Sequence, residues 1–206
     1  MLSFSLLYTA LRYIVFGNTE YHQWPLFLGN KAISLGGIIL LALSYLLSQR
    51  NNLTEPEKKQ HLSLIRFCGL GGFSLIGMHA FASLMVLTPI NFPKFYHDSG
   101  QMNFIGEFSM LMGVVSLWCF CLPAITTIPN MFQAIGEERW RRNQRVGYFG
   151  LALAAIHVGV MGLPGWMTPE KWYGYLPPIT LVSFVVAAIP LILRLRKNGR
   201  NGAPKE

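Results

Sequence analysis

The chain has 206 residues, 52% of them hydrophobic and 13% charged, with a mean hydropathy of +0.38. A soluble domain of this size carries nearly twice that charged fraction, so composition excludes an ordinary water-facing surface. The formal net charge of +8 does not point to nucleic acid, because the Lys and Arg fall in short clusters between apolar runs, as in proteins that orient themselves in a membrane.

About 20 apolar residues are needed to cross a hydrocarbon core roughly 30 Å thick. The first apolar run, 2–16, is short and carries Arg12. It is expected either as a tilted span with Arg12 snorkelling outward or as an interfacial helix. It has neither the basic region nor the small-residue cleavage site of a signal peptide. Clear spans follow near 28–48, 66–88, 105–127, 146–163 and 176–193. The expected fold is therefore all-α, a polytopic six-helix transmembrane bundle over 1–196 facing membrane lipid, with a disordered cytoplasmic tail at 197–206.

Between the spans, segment 49–66 carries Arg50, Lys58, Lys59 and Arg66, and loop 128–145 carries Arg139, Arg141, Arg142 and Arg145. The tail carries Arg194, Arg196, Lys197, Arg200 and Lys205, so 13 of 17 basic residues fall on one side. Positive-inside bias puts both loops and the C-terminus in the cytoplasm, and a bacterial inner membrane is expected. Trp24, Phe95, Tyr96, Trp166, Trp172, Tyr173 and Tyr175 lie by the opposite loops, as an aromatic belt would. Cys68, Cys119 and Cys121 are odd in number and sit in or beside apolar runs, so buried thiols are expected rather than disulfides or a zinc site. Gly69-Leu70-Gly71-Gly72 follows no strand, and no βαβ pattern occurs, which excludes a dinucleotide-binding fold in this stretch.

Five histidines differ in depth. His22, His61 and His97 fall in loops or at a helix edge and are expected to be solvated. His79 and His157 lie inside apolar runs, where a polar ring is costly and usually faces the bundle interior. The spans 66–88 and 146–163 run in the same direction. At 1.5 Å per residue, His79 is roughly 20 Å beyond Arg66, and His157 roughly 18 Å beyond Arg145. Two imidazoles at matching depth can ligate one iron from opposite faces of a porphyrin, and closing both axial positions suits electron transfer. Two hydrogen-bonded core histidines would satisfy the same spacing. Glu107 is expected at the interface rather than in a proton path. In the basic loop, Trp140 offers a stacking surface, Gln144 an amide that both donates and accepts, and the arginines suit phosphate; a flavin nucleotide would use all three. A membrane anchor explains the arginines equally well.

Several stretches taken in order carry a resemblance. They are Gly29-Asn30-Lys31-Ala32 with the run Leu40–Leu46, then Gly69-Leu70 followed by His79, and then Ala124-Ile-Thr-Thr-Ile-Pro129. Trp140-Arg141, Gln144, Gly147-Tyr148, His157-Val158 and Trp172-Tyr-Gly-Tyr-Leu-Pro-Pro178 follow. Over about 25–195 the chain resembles the membrane domain of the STEAP metalloreductases, within the ferric-reductase-like transmembrane haem superfamily. The MsrQ-like haem subunit of bacterial methionine sulfoxide reductase systems is a second relative by the same pattern. There a further histidine often stands where this chain has Gln144.

The resemblance implies that His79 and His157 hold haem b and that Arg66, Trp140 and Gln144, beside Arg141, line an inner site for FAD or FMN. It also implies a homo-oligomer. Electrons would pass from a cytoplasmic flavin or a separate flavin reductase, through the haem, to ferric or cupric ion or an external redox protein. No histidine lies thirteen residues from either His79 or His157, so one haem is expected rather than two. A transporter or a purely structural membrane subunit is the competing class.

Overall fold

The computed structural model describes residues 1–17, 19–21, 24–50 and 54–201. Helices dominate the described residues; extended pairing there is limited to one isolated bridge between Tyr96 and Met102. Seven α-helices follow in order: α1 (Leu2–Ala10), α2 (Gly29–Leu47), α3 (Glu55–Val86), α4 (Phe104–Thr127), α5 (Pro129–Gln144), α6 (Val146–Trp166) and α7 (Ile179–Asn201). Five stretches are long and apolar enough to cross a membrane: α2 with the π-helical turn Trp24–Leu28 ahead of it, α3, α4, the joined α5 and α6, and α7. Phe67, Phe81 and Trp118 are each 72% exposed, and such large apolar side chains on the outside of a bundle suit lipid rather than water.

The expected sixth span is shorter than a crossing. Leu2–Val15 is a helix whose last turn, Leu11–Val15, is π-helical. It packs on α2 with Leu2 and Ser5 against Gly36. Arg12 does not reach outward to water, as the sequence suggests. It is 5% exposed and donates from Nη1 to the Leu176 carbonyl, with the Tyr13 and Tyr173 rings 5.3 and 5.5 Å from its guanidinium. The loop ahead of α7 folds over the end of α1 and supplies Leu176 and Tyr173, so protein groups surround the charge, although Arg12 Nε is buried without a hydrogen-bond partner among the described residues.

Two segments read as loops are helical. Helix α3 starts eleven residues before the expected span. It begins with a capping box in which Thr54 and Glu57 satisfy each other, the Thr54 backbone N–H and hydroxyl donating to Glu57 Oε2 at 2.8 and 2.7 Å. The basic loop after α4 is α5, whose two halves meet at Gly136 with φ of 74°. The end of α7 is helical through Asn201 where a disordered tail is expected, and Lys197 donates to the Gln49 carbonyl at 2.9 Å. The rest of that tail, 202–206, lies outside the described residues, as does His22.

The core gathers Leu35, Ile38, Leu41 and Tyr45 of α2 with Phe120 of α4, Leu151 and Ala155 of α6, and Ile179 and Ala187 of α7. Helices α2 and α3 pack at backbone distance, because a Cβ at Gly72 would lie 2.8 Å from the Leu41 nitrogen and 3.0 Å from the Gly37 oxygen. Without side chains there, dispersion contacts and close dipoles replace hydrophobic burial as the cohesive force. Helix α3 lies mainly on α2, and α6 lies on α4 and α7, whereas α3 and α6 scarcely touch.

A candidate haem site between two helices

The gap between α3 and α6 is a cavity of about 480 Å³, within the range of small-molecule and cofactor sites. His79 from α3 and His157 from α6 both line it, with Ile38, Ile76, Leu117 and Phe120 among its apolar walls. The two histidines singled out by depth are therefore brought to one space.

Each ring is held by the nitrogen nearer its backbone. His79 Nδ1 lies 2.7 Å from Asn30 Oδ1, and the Asn30 amide donates to Ser83 Oγ at 3.0 Å. His157 Nδ1 lies 2.7 Å from the Ser109 carbonyl, while the Ser109 hydroxyl reaches the His157 carbonyl at 3.3 Å. Both partner oxygens can only accept, so each Nδ1 carries the proton and each neutral ring keeps its Nε2 lone pair. Neither Nε2 has a hydrogen-bond partner among the described residues. Metal-binding imidazoles are commonly fixed in this way, with one nitrogen anchored and the other left basic.

Two glycines stand in the walls. A Cβ at Gly77 would meet nothing within 4 Å, so that wall is open to the cavity. At Gly113 a Cβ would lie 3.0 Å from His157 Nδ1, so the missing side chain on α4 lets the imidazole lie close against the helix. Two free Nε2 atoms, an apolar enclosure and a glycine at its wall fit a porphyrin with two imidazole ligands. No group of three or more His, Cys, Asp or Glu occurs among the described residues, which leaves a bare metal ion without a ligand set. His97 is exposed as expected, but His61 is half-buried with its Nε2 2.8 Å from the Leu47 carbonyl.

At the basic end, Arg66, Trp140 and Gln144 converge on the last turn of α4. Arg66 Nη2 donates to the Thr127 carbonyl at 3.0 Å, Trp140 Nε1 to Thr127 Oγ1 at 3.0 Å, and Gln144 Nε2 to Thr127 Oγ1 and the Pro123 carbonyl at 3.1 and 3.2 Å. Trp140 is 3% exposed and lies edge-on to Phe132, so its ring face is turned to protein. Arg141 stands apart, exposed and paired with Glu137 at 2.5 Å. Beside this knot is an open hollow of about 470 Å³, lined by Lys59, Ser63, Arg66 and Thr127 among others. Trp140 and Gln144 do not line it. Of the four residues expected around a flavin, only Arg66 lines this hollow, joined there by Lys59. Trp140 is engaged by the Thr127 hydroxyl, and Gln144 by that hydroxyl and by the Pro123 carbonyl near the end of α4.

Sequence reasoning missed Asn30, Ser83 and Ser109 as partners of the two rings. Their signal is faint: polar side chains inside otherwise apolar spans, Asn30 and Ser109 on helices other than those of their histidines and Ser83 one turn beyond His79 on α3 itself.

No protein-family model matches the chain, and no curated protein matches it.

Proposed function

We propose that this chain is the haem-binding membrane component of an electron-transfer system. The supporting observation is the pair of imidazoles on α3 and α6, each held at Nδ1 and each presenting a free Nε2 to the same apolar cavity. Haem b bound there would supply a one-electron couple with both axial positions closed. His79 and His157 would be the axial ligands. Asn30 and the Ser109 carbonyl fix the tautomer and aim of each ring, and the apolar walls keep water from the space. No Cys-x-x-Cys-His occurs in the chain, so the haem would be held without covalent attachment.

In this reading electrons enter at the basic end, from a reduced flavin or a flavin-bearing reductase. Arg66 and Lys59 offer that donor two cations beside the hollow. They leave at the opposite end, to ferric or cupric ion or to an external redox protein. Helix α1 completes the bundle as its sixth, short member, and the basic end is cytoplasmic. Absorption spectra of the detergent-purified chain, before and after dithionite, test the proposal. The expected result is a low-spin b-type spectrum with one haem per chain, strongly reduced in His79→Ala and in His157→Ala but retained in His61→Ala and His97→Ala. A colourless protein after haem addition, or full haem content in His157→Ala, would refute it.

A further inference from the structure

The cavity has a charged rim that the two histidines do not explain. Lys31 of α2 lines it directly, one residue after Asn30, which holds His79. The Lys31 ammonium lies 4.3 Å from the Phe27 ring and 5.1 Å from the Tyr13 ring. Lys94, from the segment between α3 and α4, donates to the Met161 carbonyl at 2.5 Å. Met161 also lines the cavity and stands one helical turn beyond His157 on α6. Lys31 therefore stands in the wall on the His79 side, and Lys94, exposed and 4.8 Å from the Phe95 ring, stands just outside the lining on the His157 side. The two are close enough that desolvation and the charge of Lys31 together hold the Lys94 ammonium below the usual lysine range.

Neither ammonium pairs with a carboxylate among the described residues. Arg12 flanks the same Tyr13 ring and adds a third cation, buried and likewise without an acidic partner. Like charges gathered at an apolar mouth repel one another and pay desolvation, which an anion bound between them reverses. Isolated cations at a membrane surface are also ordinarily free to snorkel into water, whereas Lys31 is turned to the cavity.

We infer that Lys31 and Lys94 form a carboxylate site at the mouth of the histidine cavity and hold the two propionates of the porphyrin, which fixes that edge toward the end of the molecule opposite the basic loops. The assignment rests on the haem reading above. A porphyrin of the b type has two carboxylates on one edge, one for the lysine in the cavity wall and one for the lysine at its Met161 rim. An ammonium–carboxylate hydrogen bond is stronger than a neutral one and gains further from the apolar surroundings. The same chemistry would suit a carboxylate arriving from outside, such as citrate carrying a ferric ion, and the experiment separates these sources.

Haem b and its dimethyl ester, in which both propionates are neutral, are titrated into the full chain purified without haem, and binding is followed by absorbance. The wild-type chain is expected to bind the free acid more tightly by about tenfold or more, the ratio for one charge-assisted hydrogen bond. In Lys31→Met the acid should weaken while the ester is unchanged, so the ratio falls toward one. Lys31→Arg should restore it, and Lys94→Met should lower it in part. Equal binding of acid and ester by the wild type, or equal loss of both in Lys31→Met, would overturn the assignment while leaving the haem reading intact. So would unchanged discrimination in Lys31→Met accompanied by a raised KM for ferric citrate, which would place an external carboxylate on the lysines. Absence of binding for both porphyrins in the wild type would sink the haem reading itself, and this inference with it.

Discussion

His79 and His157 present the same nitrogen to the cavity but are anchored differently, and the difference is open to measurement. His79 depends on the Asn30 side chain, itself oriented by Ser83, whereas His157 depends on a backbone carbonyl that no substitution removes. Asn30→Ala should therefore weaken haem binding about 10–100-fold, as loss of an outer partner of a metal-bound histidine does, without changing the ligand set. Titration of haem into the apo-protein checks this, and Asn30→Ala binding haem as the wild type does would show that the hydrogen bond plays no part. Gly77 and Gly113 divide in a similar way. A side chain at Gly77 grows into open cavity, so Gly77→Phe should leave thermal stability near that of the wild type while excluding haem. At Gly113 the same addition presses on the His157 ring, so Gly113→Val should disturb ligand and fold together. A Gly77→Phe protein that still fills with haem would place the porphyrin elsewhere.

At the level of helices, the contact between α2 and α3 is governed by glycines whose roles cannot be told apart by spacing alone. Gly71 and Gly72 are neighbours, yet a Cβ at Gly71 would have only Leu40 Cδ1, at 3.6 Å, whereas at Gly72 it would meet backbone. Gly72→Ala should thus cost about 1–3 kcal/mol, as overpacking of a tight core does, and Gly71→Ala close to nothing. Thermal unfolding in detergent, compared across the two variants, reads this; equal melting temperatures would mean the helices separate without cost. The seam also shows what local pattern conveys. Apolar length is a property of each segment, so the five long spans and the depths of His79 and His157 were legible. Which side chain meets which was not, because Asn30 reaches His79 across 49 positions and Ser109 reaches His157 across 48. Helix α5 escaped notice because its residues are polar and a glycine interrupts it, although Pro129 at its start is a helix-initiating signal. The extension of α3 was signalled by Thr54 and Glu57, a capping box that a hydropathy window passes over. Arg12, alone in an apolar run, suggested water as its partner because the loop that covers it lies about 160 residues away.

Across the whole molecule, three separate basic stretches end up at one pole. Lys197 near the end of α7 bonds to Gln49 after α2, the Arg194 guanidinium lies 3.8 Å above the Tyr148 ring at the start of α6, and Arg66 of α3 caps the end of α4. The five long apolar stretches between Trp24 and the end of α7 alternate in direction and bring the chain to this pole three times, so its charge is a property of the fold rather than of one loop. Positively charged segments are retained on the cytoplasmic side during insertion, and a pole that collects most of the Lys and Arg should therefore face inward. Single cysteines at Glu138 on α5, Asp98 before α4 and Lys171 before α7, all exposed positions, test the arrangement once Cys68, Cys119 and Cys121 have been replaced. A membrane-impermeant thiol reagent applied to intact cells should label positions 98 and 171 and spare 138, with 138 labelled only after the membrane is opened. Labelling of 138 alone in intact cells would invert the molecule and place the Lys31 and Lys94 mouth inside. Labelling of 98 without 171 would break the alternation of α4, α6 and α7 on which both the cavity and its histidine pair depend.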